Sequence, residues 1–227
     1  MNIVITGCSK GIGAELVKLW SQDNMVFGIS RDITSLNKLQ KNLKRPSNFK
    51  FIAEDITKLT VNQLNNWISV DSIDILINNA GFLINKEFEK VNYEEYNKVM
   101  DINFWGPFHI IQLLIHKLSV VNGHVVNISS MGGVNYSSKF PGLSLYSSSK
   151  GALTILSECL AEELKRFNIS VNALALGAVQ TEMLNKAFPS YKAPTSAKEM
   201  AEYIITFCES SNKILNGQII KVSKSNP

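Results

Sequence analysis

Residues 3–13, IVITGCSKGIG, join a short apolar run to a glycine-rich turn. The run from Ile3 to Ile5 has no alternating polar residue, which predicts a strand that is buried on both faces of a sheet. A helical pattern, AELVKLW, follows at residues 14–20. This order of strand, glycine-rich turn and helix is the setting in which a dinucleotide can bind. A turn with no ligand would also explain the glycines.

Each glycine of the turn has its own role if a dinucleotide binds there. Gly7 permits a tight turn, and Gly11 lets backbone N–H groups approach a pyrophosphate. Gly13 allows the helix to pack closely on the strand. The N-terminus of the helix, with the positive end of its dipole, would then face the anion.

The rest of the chain alternates strand and helix patterns. Further strands are predicted at Met25–Ser30, Phe49–Ala53, Ile73–Ile77, Val125–Ile128, Ser170–Leu176 and Gln218–Val222. Helices are predicted at Leu36–Leu43, Leu64–Ile68, Tyr93–Leu118, Tyr146–Phe167 and Ser196–Glu209. This alternation predicts an α/β fold, a Rossmann-type doubly wound parallel sheet of about seven strands with helices on both faces. No linker divides the pattern, so we expect one domain over residues 1–227.

The composition excludes several classes of protein. A 45% hydrophobic content and 19% charged content are those of an ordinary globular chain. The net charge of +4 is spread without a run of like charges, so we expect neither nucleic acid nor membrane as a partner. Cys8, Cys159 and Cys208 lie far apart without metal-ligand spacing, which predicts reduced thiols, no structural metal and a cytoplasmic location. Because the first strand starts at residue 2, we expect no signal peptide.

The end of the second strand carries a signal for cofactor choice. In a dinucleotide fold this strand end lies beside the adenosine ribose, where an acidic residue favours NAD and an arginine favours NADP. Here the strand ends in Ser30 and Arg31, and Lys10 of the glycine turn is expected nearby. Two cations and a hydroxyl suit the 2′-phosphate of NADP, although solvated surface charges would give the same sequence. Asp32 follows, and we expect its side chain to point elsewhere.

Polar residues follow other predicted strands, where open α/β sheets bind their ligands. Asp55 could accept a hydrogen bond from an adenine amino group, or it could cap the next helix. The sequence Asn78-Asn79-Ala80-Gly81 could tie strands together and leave room for a cofactor, or it could be a plain turn. Asn103 falls inside a predicted helix, where it is locally unfavourable, so it could bend the helix or hold a water.

Tyr146 and Lys150 are four positions apart on a predicted helix and therefore project from the same face. If that face lines a cleft, the charge of the lysine should lower the pKa of the tyrosine from about 10. Such a tyrosine could exchange a proton with a substrate oxygen near neutral pH. A partly exposed helix pair would show the same spacing, so these residues alone decide little.

Taken together and in this order, the motifs resemble those of the short-chain dehydrogenase/reductase family, in its ordinary short-chain branch. The resemblance covers residues 2 to about 182 and rests on Thr6-Gly-x-x-x-Gly-x-Gly, Asn78-Asn-Ala-Gly, Asn103, Ser130 and Tyr146-x-x-x-Lys150. It implies an NADP(H)-dependent oxidoreductase, with NAD(H) the less favoured cofactor, that acts on a small carbonyl or alcohol substrate. It also implies a homodimer or homotetramer.

The resemblance assigns roles to individual residues. Tyr146 would be the general acid or base, Ser130 would bind the reacting oxygen, Lys150 would bind the nicotinamide ribose, and Asn103 would hold a relay water. The cofactor-binding residues would be Gly7, Ser9, Lys10, Gly11, Ile12, Gly13, Ser30, Arg31, Asp55, Ile56, Asn79, Ala80, Gly81, Tyr146, Lys150, Gly177, Val179 and Thr181.

The chain also departs from the family pattern. The proline that usually precedes the nicotinamide-side glycine is Leu176 here, which should loosen that turn. The motif serine and tyrosine are sixteen positions apart, so residues 135–142 should form an extended loop over the substrate. The segment at 183–195 is short and predicts a small lid, and the last strand lacks the usual Asp-Gly-Gly. An alternative is a non-catalytic NADP-binding regulator or scaffold. Such a protein would not need Asn103, Ser130, Tyr146 and Lys150 together.

Overall fold

The computed structural model describes residues 1–211 and 214–224. Its strands are β1 (Asn2–Thr6), β2 (Met25–Ile29), β3 (Phe49–Ile52), β4 (Ile75–Asn78), β5 (His124–Ser130), β6 (Ser170–Leu176), β7 (Val179–Gln180), β8 (Thr195–Ser196) and β9 (Ile219–Val222). Its helices are α1 (Gly11–Trp20), α2 (Ile33–Lys41), α3 (Val61–Trp67), α4 (Tyr93–Met100), α5 (Gly106–Ser119), α6 (Ser144–Glu163), α7 (Glu182–Ala187) and α8 (Ala197–Ser211). The predicted domain also includes residues 212–213 and 225–227, which lie outside the described residues.

Seven strands form one parallel sheet in the order β3-β2-β1-β4-β5-β6-β9. The predicted fold class is therefore confirmed. The strand order reverses between β1 and β4, because the chain first builds outward to β3 and then returns to the other side of β1. Since all strands are parallel, their carboxyl ends meet at one edge, and a ligand site is expected beside the reversal.

Apolar residues on both faces of the sheet explain the doubly wound arrangement. One face packs residues such as Ile3 and Ile5 of β1 against α1, α2 and α8. The other packs Val4 of β1 and Leu76 of β4 against α3, α5 and the end of α6. Burying each such side chain contributes about 1.5–3 kcal/mol. The two faces explain why the strand patterns show apolar runs without alternation.

The long helix predicted over residues 93–118 is interrupted. Helix α4 leads into a π-helical turn, Asp101–Trp105, before α5 begins. Asn103 lies in the middle of this turn and is fully buried. The wider π-helical turn interrupts the regular α-helix at Asn103. Asparagine is unfavourable inside an ordinary α-helix, so this interruption suits its position in the sequence. Asn103 was expected to bend the helix or to hold a water, and the structure places it in a π-helical turn.

The segment after β6 holds a feature that the sequence pattern does not reveal. Strands β7 and β8 form a separate parallel pair, with Val179 opposite Thr195 and Gln180 opposite Ser196. Helix α7 lies between them in the chain. Strands of two residues are too short to show a period of two, so no sequence pattern marks them. No helix in residues 1–211 and 214–224 is long and apolar enough to span a bilayer.

His124 opens β5 in a buried position at the amino end of the strand. Its Nε2 lies 3.0 Å from Nδ2 of Asn172. The Asn172 amide is fixed in orientation, because Nδ2 also donates to the carbonyl of Leu215 and Oδ1 accepts from the N–H of Gln218. Nε2 must therefore accept a hydrogen bond, which only a neutral ring can do. Burial lowers the pKa of His124 to about 4, against a smaller raising effect of the Cys208 backbone.

The buried imidazole makes stability depend on pH. The pKa of His124 is lower in the folded than in the unfolded chain, so the unfolded chain binds more protons between about pH 6.5 and 4. We expect the free energy of unfolding to fall by about 3 kcal/mol through this window as the pH decreases. His124→Gln keeps an acceptor but does not titrate, so its urea-unfolding curves should lack this component. Equal pH slopes for both proteins would contradict the assignment.

Candidate active site

The glycine turn is fixed by the loop that follows β4. Gly7 and Gly11 adopt positive φ angles of 66° and 55°, which side-chain-bearing residues rarely adopt. Nδ2 of Asn79 donates to the carbonyls of Thr6 (3.1 Å) and Gly7 (3.0 Å). A Cβ atom on Gly13 would lie 2.4 Å from the Gly7 carbonyl oxygen and 2.6 Å from that same Nδ2. The turn therefore has no space for a side chain at this position.

Thr6 connects the two strands at the reversal point of the sheet. Its hydroxyl accepts hydrogen bonds from the backbone N–H groups of Asn79 (3.1 Å) and Ala80 (3.0 Å). A Cβ atom on Gly7 would lie 2.6 Å from Cα of Ala80. The glycine turn and the Asn78–Gly81 loop thus meet directly at the carboxyl edge. The prediction that these asparagines tie strands together agrees with this geometry.

The residues that were predicted to bind a phosphate lie near one another, and the two cations among them, Lys10 and Arg31, are in ion pairs. Ser30 donates to the hydroxyl of Ser9 at 2.8 Å. Nζ of Lys10 lies 3.2 Å from Oδ2 of Asp32 and 3.7 Å from Oε2 of Glu182 on α7. The expectation that Asp32 points elsewhere is therefore wrong. Asp32 is the N-cap of α2, which turns its carboxylate back toward the glycine turn.

Local hydrogen bonds stabilise the charged form of Asp32. Its carboxylate accepts from the backbone N–H of Ser35 at 3.0 Å and from the Ser35 hydroxyl at 2.7 Å. These two hydrogen bonds and the one from Lys10 lower the pKa of Asp32 to about 2. Asp32 in turn raises the pKa of Lys10, with a further contribution from Glu182. Lys10 and Asp32 are therefore both charged at neutral pH. A phosphate that bound Lys10 would compete with the Asp32 carboxylate.

Asp55 and Ile56 lie just beyond β3, which ends at Ile52. Oδ1 of Asp55 accepts from the N–H of Thr57 at 3.0 Å and from its hydroxyl at 2.8 Å. Arg31 lies 3.9 Å from the other carboxylate oxygen. Asp55 does not cap α3, because Thr60 fills that role, so the capping alternative is wrong. Burial raises the pKa of Asp55, but the Thr57 hydrogen bonds and Arg31 outweigh it and lower it overall.

Asn103 uses its amide to hold the loop after β4. Oδ1 accepts from the N–H of Phe82 at 2.7 Å, and Nδ2 donates to the Phe82 carbonyl at 2.9 Å. Nδ2 also donates to the hydroxyl of Ser149 at 2.9 Å. Both amide hydrogens are therefore used by protein atoms. A Cβ atom on Gly81 would be 3.6 Å from both Oδ1 of Asn103 and Nζ of Lys150, so these groups converge on Gly81.

Lys150 is buried on α6, and its Nζ donates to the carbonyl of Ile128 at 2.8 Å. Burial lowers the pKa of the ammonium to about 8. Burial also raises the pKa of Tyr146 to about 12, against a smaller lowering effect of the Ser130 hydroxyl. The expectation that Lys150 lowers the tyrosine pKa is wrong for the chain alone, since no lysine contribution offsets the burial of Tyr146. The phenol is therefore protonated at neutral pH.

Ser130 ends β5 in an extended conformation beside this tyrosine. Its hydroxyl accepts a hydrogen bond from the N–H of Gly132 at 3.2 Å, and it lies close enough to affect the pKa of Tyr146. Residues 134–143 then form a loop without helix or strand. Within the loop, Ser137 donates to the carbonyl of Val134 at 3.0 Å. The extended loop predicted between Ser130 and Tyr146 is thus present.

The residues that were predicted to contact the nicotinamide lie between β6 and α7. The N–H of Gly177 donates to the carbonyl of Val222 at 2.8 Å, so β9 anchors the turn that follows Leu176. Val179 is buried in β7. Thr181 caps α7 through the N–H of Leu184 at 3.2 Å. Cγ2 of Thr181 lies 3.3 Å from the position of a Cβ on Gly11, which brings this segment to the glycine turn.

Comparison with known proteins identifies the family. A family model described as short chain dehydrogenase matches residues 1–192. The chain belongs to this family. An oxidoreductase of Staphylococcus saprophyticus, uncharacterized by name, is 34% identical over 189 residues, which cover 80% of this chain and 75% of that protein. A fatty acyl-CoA reductase of Acinetobacter baylyi is 29% identical over 212 residues, covering 90% of this chain and 71% of the reductase.

Solved structures place this short-chain dehydrogenase among close relatives in fold. ElxO with NADP bound has a TM-score of 0.85 at 27% identity, covering 97% of this chain and 96% of that one. A 3-ketoacyl-(acyl-carrier-protein) reductase from Brucella melitensis complexed with NADH also has a TM-score of 0.85, at 21% identity and the same coverage, which is a likeness of fold alone. The chain is thus an oxidoreductase with a dinucleotide-binding Rossmann fold.

Sequence reasoning about this short-chain dehydrogenase missed several residues of the site. Thr6, Ser149 and Glu182 each contact a predicted site residue. Thr6 belongs to the motif Thr6-Gly-x-x-x-Gly-x-Gly, which was the available signal, but it was given no role there. Ser149 and Glu182 gave no signal, because their contacts join distant segments. No group of three or more His, Cys, Asp or Glu residues in the described ranges could hold a metal ion.

The tight space at Gly13 gives a test of this short-chain dehydrogenase site. Gly13→Ala places a methyl group against the Gly7 carbonyl and the Asn79 amide. We expect the free energy of unfolding to fall by about 1–3 kcal/mol, as for other overpacked sites. The matched control is Gly81→Ala, whose Cβ would meet nothing closer than 3.6 Å and should leave stability unchanged. Chemical denaturation measures both, and similar losses would contradict the described packing.

Proposed function

We propose that this protein is an NADP(H)-dependent oxidoreductase that transfers a hydride between nicotinamide and a carbonyl or alcohol substrate. Tyr146 is the general acid in reduction and the base in oxidation. The observation that carries the proposal is the convergence of Lys150 and Asn103 on Gly81, next to Tyr146 and Ser130, at the edge where the glycine turn lies. A fold used only for binding has no need of this arrangement.

The glycine turn fits a dinucleotide. Gly7 and Gly11 hold positive φ angles, Gly13 has no space for a side chain, and no side chain caps the start of α1. This is the geometry that receives a pyrophosphate. When bound, the nicotinamide supplies the hydride. We propose that Lys150 binds the nicotinamide ribose and that Asp55 and Ile56 lie beside adenine.

Two residues of the chain act on the substrate oxygen. In reduction, the carbonyl carbon receives the hydride and the oxygen takes the phenolic proton of Tyr146, which yields the alcohol. The Ser130 hydroxyl donates a hydrogen bond to that oxygen and stabilises its developing negative charge. Burial keeps the phenol of Tyr146 protonated at neutral pH, and a protonated phenol favours the reductive direction. Lys150, with a pKa of about 8, is a cation for most of the population at pH 7, which suits its proposed hydrogen bonds to the nicotinamide ribose hydroxyls.

Charges at the end of β2 support a preference for NADP(H). Lys10, Ser30 and Arg31 present two cations and a hydroxyl next to the glycine turn. Such groups bind a phosphate through charge-assisted hydrogen bonds. Asp32 and Asp55 oppose the preference, because each pairs with one of the cations. ElxO, which is 27% identical, was solved with NADP, which agrees with the proposal.

Further assignments follow from the family pattern. We propose that residues 1–227 form one domain, since both apolar clusters flank the same sheet. A small-molecule carbonyl or alcohol is the proposed substrate. The homodimer or homotetramer and the cytoplasmic location stay predictions.

The role of Tyr146 is tested by Tyr146→Phe. Removing the hydroxyl removes the proton donor but keeps the ring, so turnover of NADPH with a panel of ketones, aldehydes and diketones should fall by a factor of about 100 or more. NADPH affinity, followed by nicotinamide fluorescence, should change little. Near-normal turnover would overturn the assignment of the acid. Binding of NADPH without turnover by the unmodified protein would instead favour a regulator or scaffold.

The cofactor preference is tested by titration with NADPH and NADH. We expect tighter binding of NADPH, and Lys10→Ala combined with Arg31→Asp should abolish that preference, since each charged contact is worth about 1.5–3 kcal/mol. Asp32→Asn is the matched variant, because asparagine still caps α2 but no longer pairs with Lys10 as an anion. It should strengthen NADPH binding and leave NADH binding unchanged. Tighter binding of NADH by the unmodified protein would contradict the proposal.

A further inference from the structure

Helix α6 carries three buried hydroxyl groups in a repeated arrangement. Ser149, Thr154 and Ser157 each donate to a carbonyl of the preceding turn. The acceptors are the carbonyls of Tyr146, Lys150 and Leu153, each at 2.7 Å. Two of these carbonyls belong to the two residues of the Tyr-x-x-x-Lys motif. The back-bonded hydroxyls therefore fix the backbone at both motif positions.

Each hydroxyl is also bound from outside the helix. Ser149 accepts from Nδ2 of Asn103 at 2.9 Å, and Ser157 accepts from Nδ2 of Asn127 at 2.9 Å. Thr154 lies 3.0 Å from the hydroxyl of Ser129, which is itself 3.0 Å from the Lys150 carbonyl. Two of these contacts dock α6 on β5. The Ser149 contact is different, because it docks α6 on the π-helical turn that holds Asn103.

The Ser149 contact completes a continuous chain of hydrogen bonds across the site. It runs from the Phe82 backbone to the Asn103 amide, from there to the Ser149 hydroxyl, and on to the Tyr146 carbonyl. Phe82 directly follows Gly81, where Lys150 and Asn103 converge. The chain therefore joins the predicted ribose-binding loop to the backbone of Tyr146. Ser149 is the link between the two halves.

We propose that Ser149 is a positioning residue that holds the phenol of Tyr146 in register with the loop at Gly81. The proposal rests on the proposed function, since it assumes that Tyr146 transfers the proton. Ser149 is fully buried and touches no reacting atom, so it acts through the backbone of Tyr146 and the side chain of Asn103. A displacement of about 1 Å between reacting groups can cost about 100-fold in rate.

Ser157 provides a matched control. It is as buried as Ser149, donates to a helix carbonyl at the same distance, and accepts from an asparagine amide at the same distance. Ser157 lies seven residues beyond Lys150, about 10 Å farther along the helix axis. Losing either hydroxyl leaves one asparagine hydrogen without its acceptor, so both losses should destabilise the fold similarly. Only the loss at Ser149 should disturb the site.

The experiment compares Ser149→Ala with Ser157→Ala in the full-length protein. Thermal unfolding, NADPH affinity and the pH profile of NADPH-dependent carbonyl reduction are measured for both. We expect similar decreases in melting temperature. Ser149→Ala should also lower kcat about tenfold or more and move the apparent pKa of the kcat profile by about half a unit or more. Ser157→Ala should keep the kcat and pH profile of the unmodified protein.

Equal kinetic behaviour of the two variants would overturn the proposal and leave Ser149 as a structural residue. If Ser149→Ala does not fold, Ser149→Cys keeps a small side chain but weakens both hydrogen bonds of the hydroxyl. It should then shift the pH profile as well, and an unchanged pH profile would overturn the proposal. Failure of the proposed function would look different from failure of the Ser149 proposal. In that case the unmodified protein would show no turnover, or Tyr146→Phe would keep normal turnover. A double-mutant cycle with Asn103→Ala should give strongly non-additive losses in kcat, and additive losses would contradict the coupling.

Discussion

The Thr6 hydroxyl, which accepts hydrogen bonds from the consecutive N–H groups of Asn79 and Ala80, holds together the point where the strand order reverses. Thr6 is almost fully buried. Without its hydroxyl, two backbone donors would lose their acceptor, at a cost of about 1–3 kcal/mol each where water cannot replace it. The glycine turn, the Asn78–Gly81 loop and the start of α1 take their relative positions from this contact. The glycine turn and the loop after β4 are therefore parts of one hydrogen-bonded unit.

The sheet has apolar residues on both faces and a row of hydrogen-bonded polar side chains across β4, β5 and α6. Apolar residues bury both faces of the strands, as the uninterrupted runs indicate. Along β4, β5 and α6, however, Asn78 donates to Asn127, which donates to Ser157. Buried amides that find partners in this way fix one register between neighbouring elements, because a shifted register would leave them unpaired. This row of hydrogen bonds thus fixes the register between β4, β5 and the part of α6 beyond the site more specifically than apolar packing alone.

The sequence predicts those features that depend on local patterns. The parallel sheet follows from apolar runs and from their alternation with helices, and the glycine turn follows from its spacing. The partners of charged groups could not be predicted in the same way. Asp32 pairs with Lys10 because capping α2 rotates its carboxylate, a consequence of the helix start at Ile33 that the predicted start at Leu36 conceals. The pKa of Tyr146 also escaped prediction, since burial and the direction of the Lys150 ammonium are properties of the folded chain.

The pairing of β7 with β8 brings both ends of residues 181–194 to the same place. A segment closed in this way can gain or lose residues at little entropic cost, since doubling a loop adds only about 0.6 kcal/mol. The composition of this segment can also change without moving Gly177 or α8, because Gly177 precedes β7 and α8 follows β8. The length of this segment can therefore vary without disturbing the sheet. Length and composition can diverge there among descendants of this chain, while Ser130 on β5 and Tyr146 and Lys150 on α6 stay unchanged.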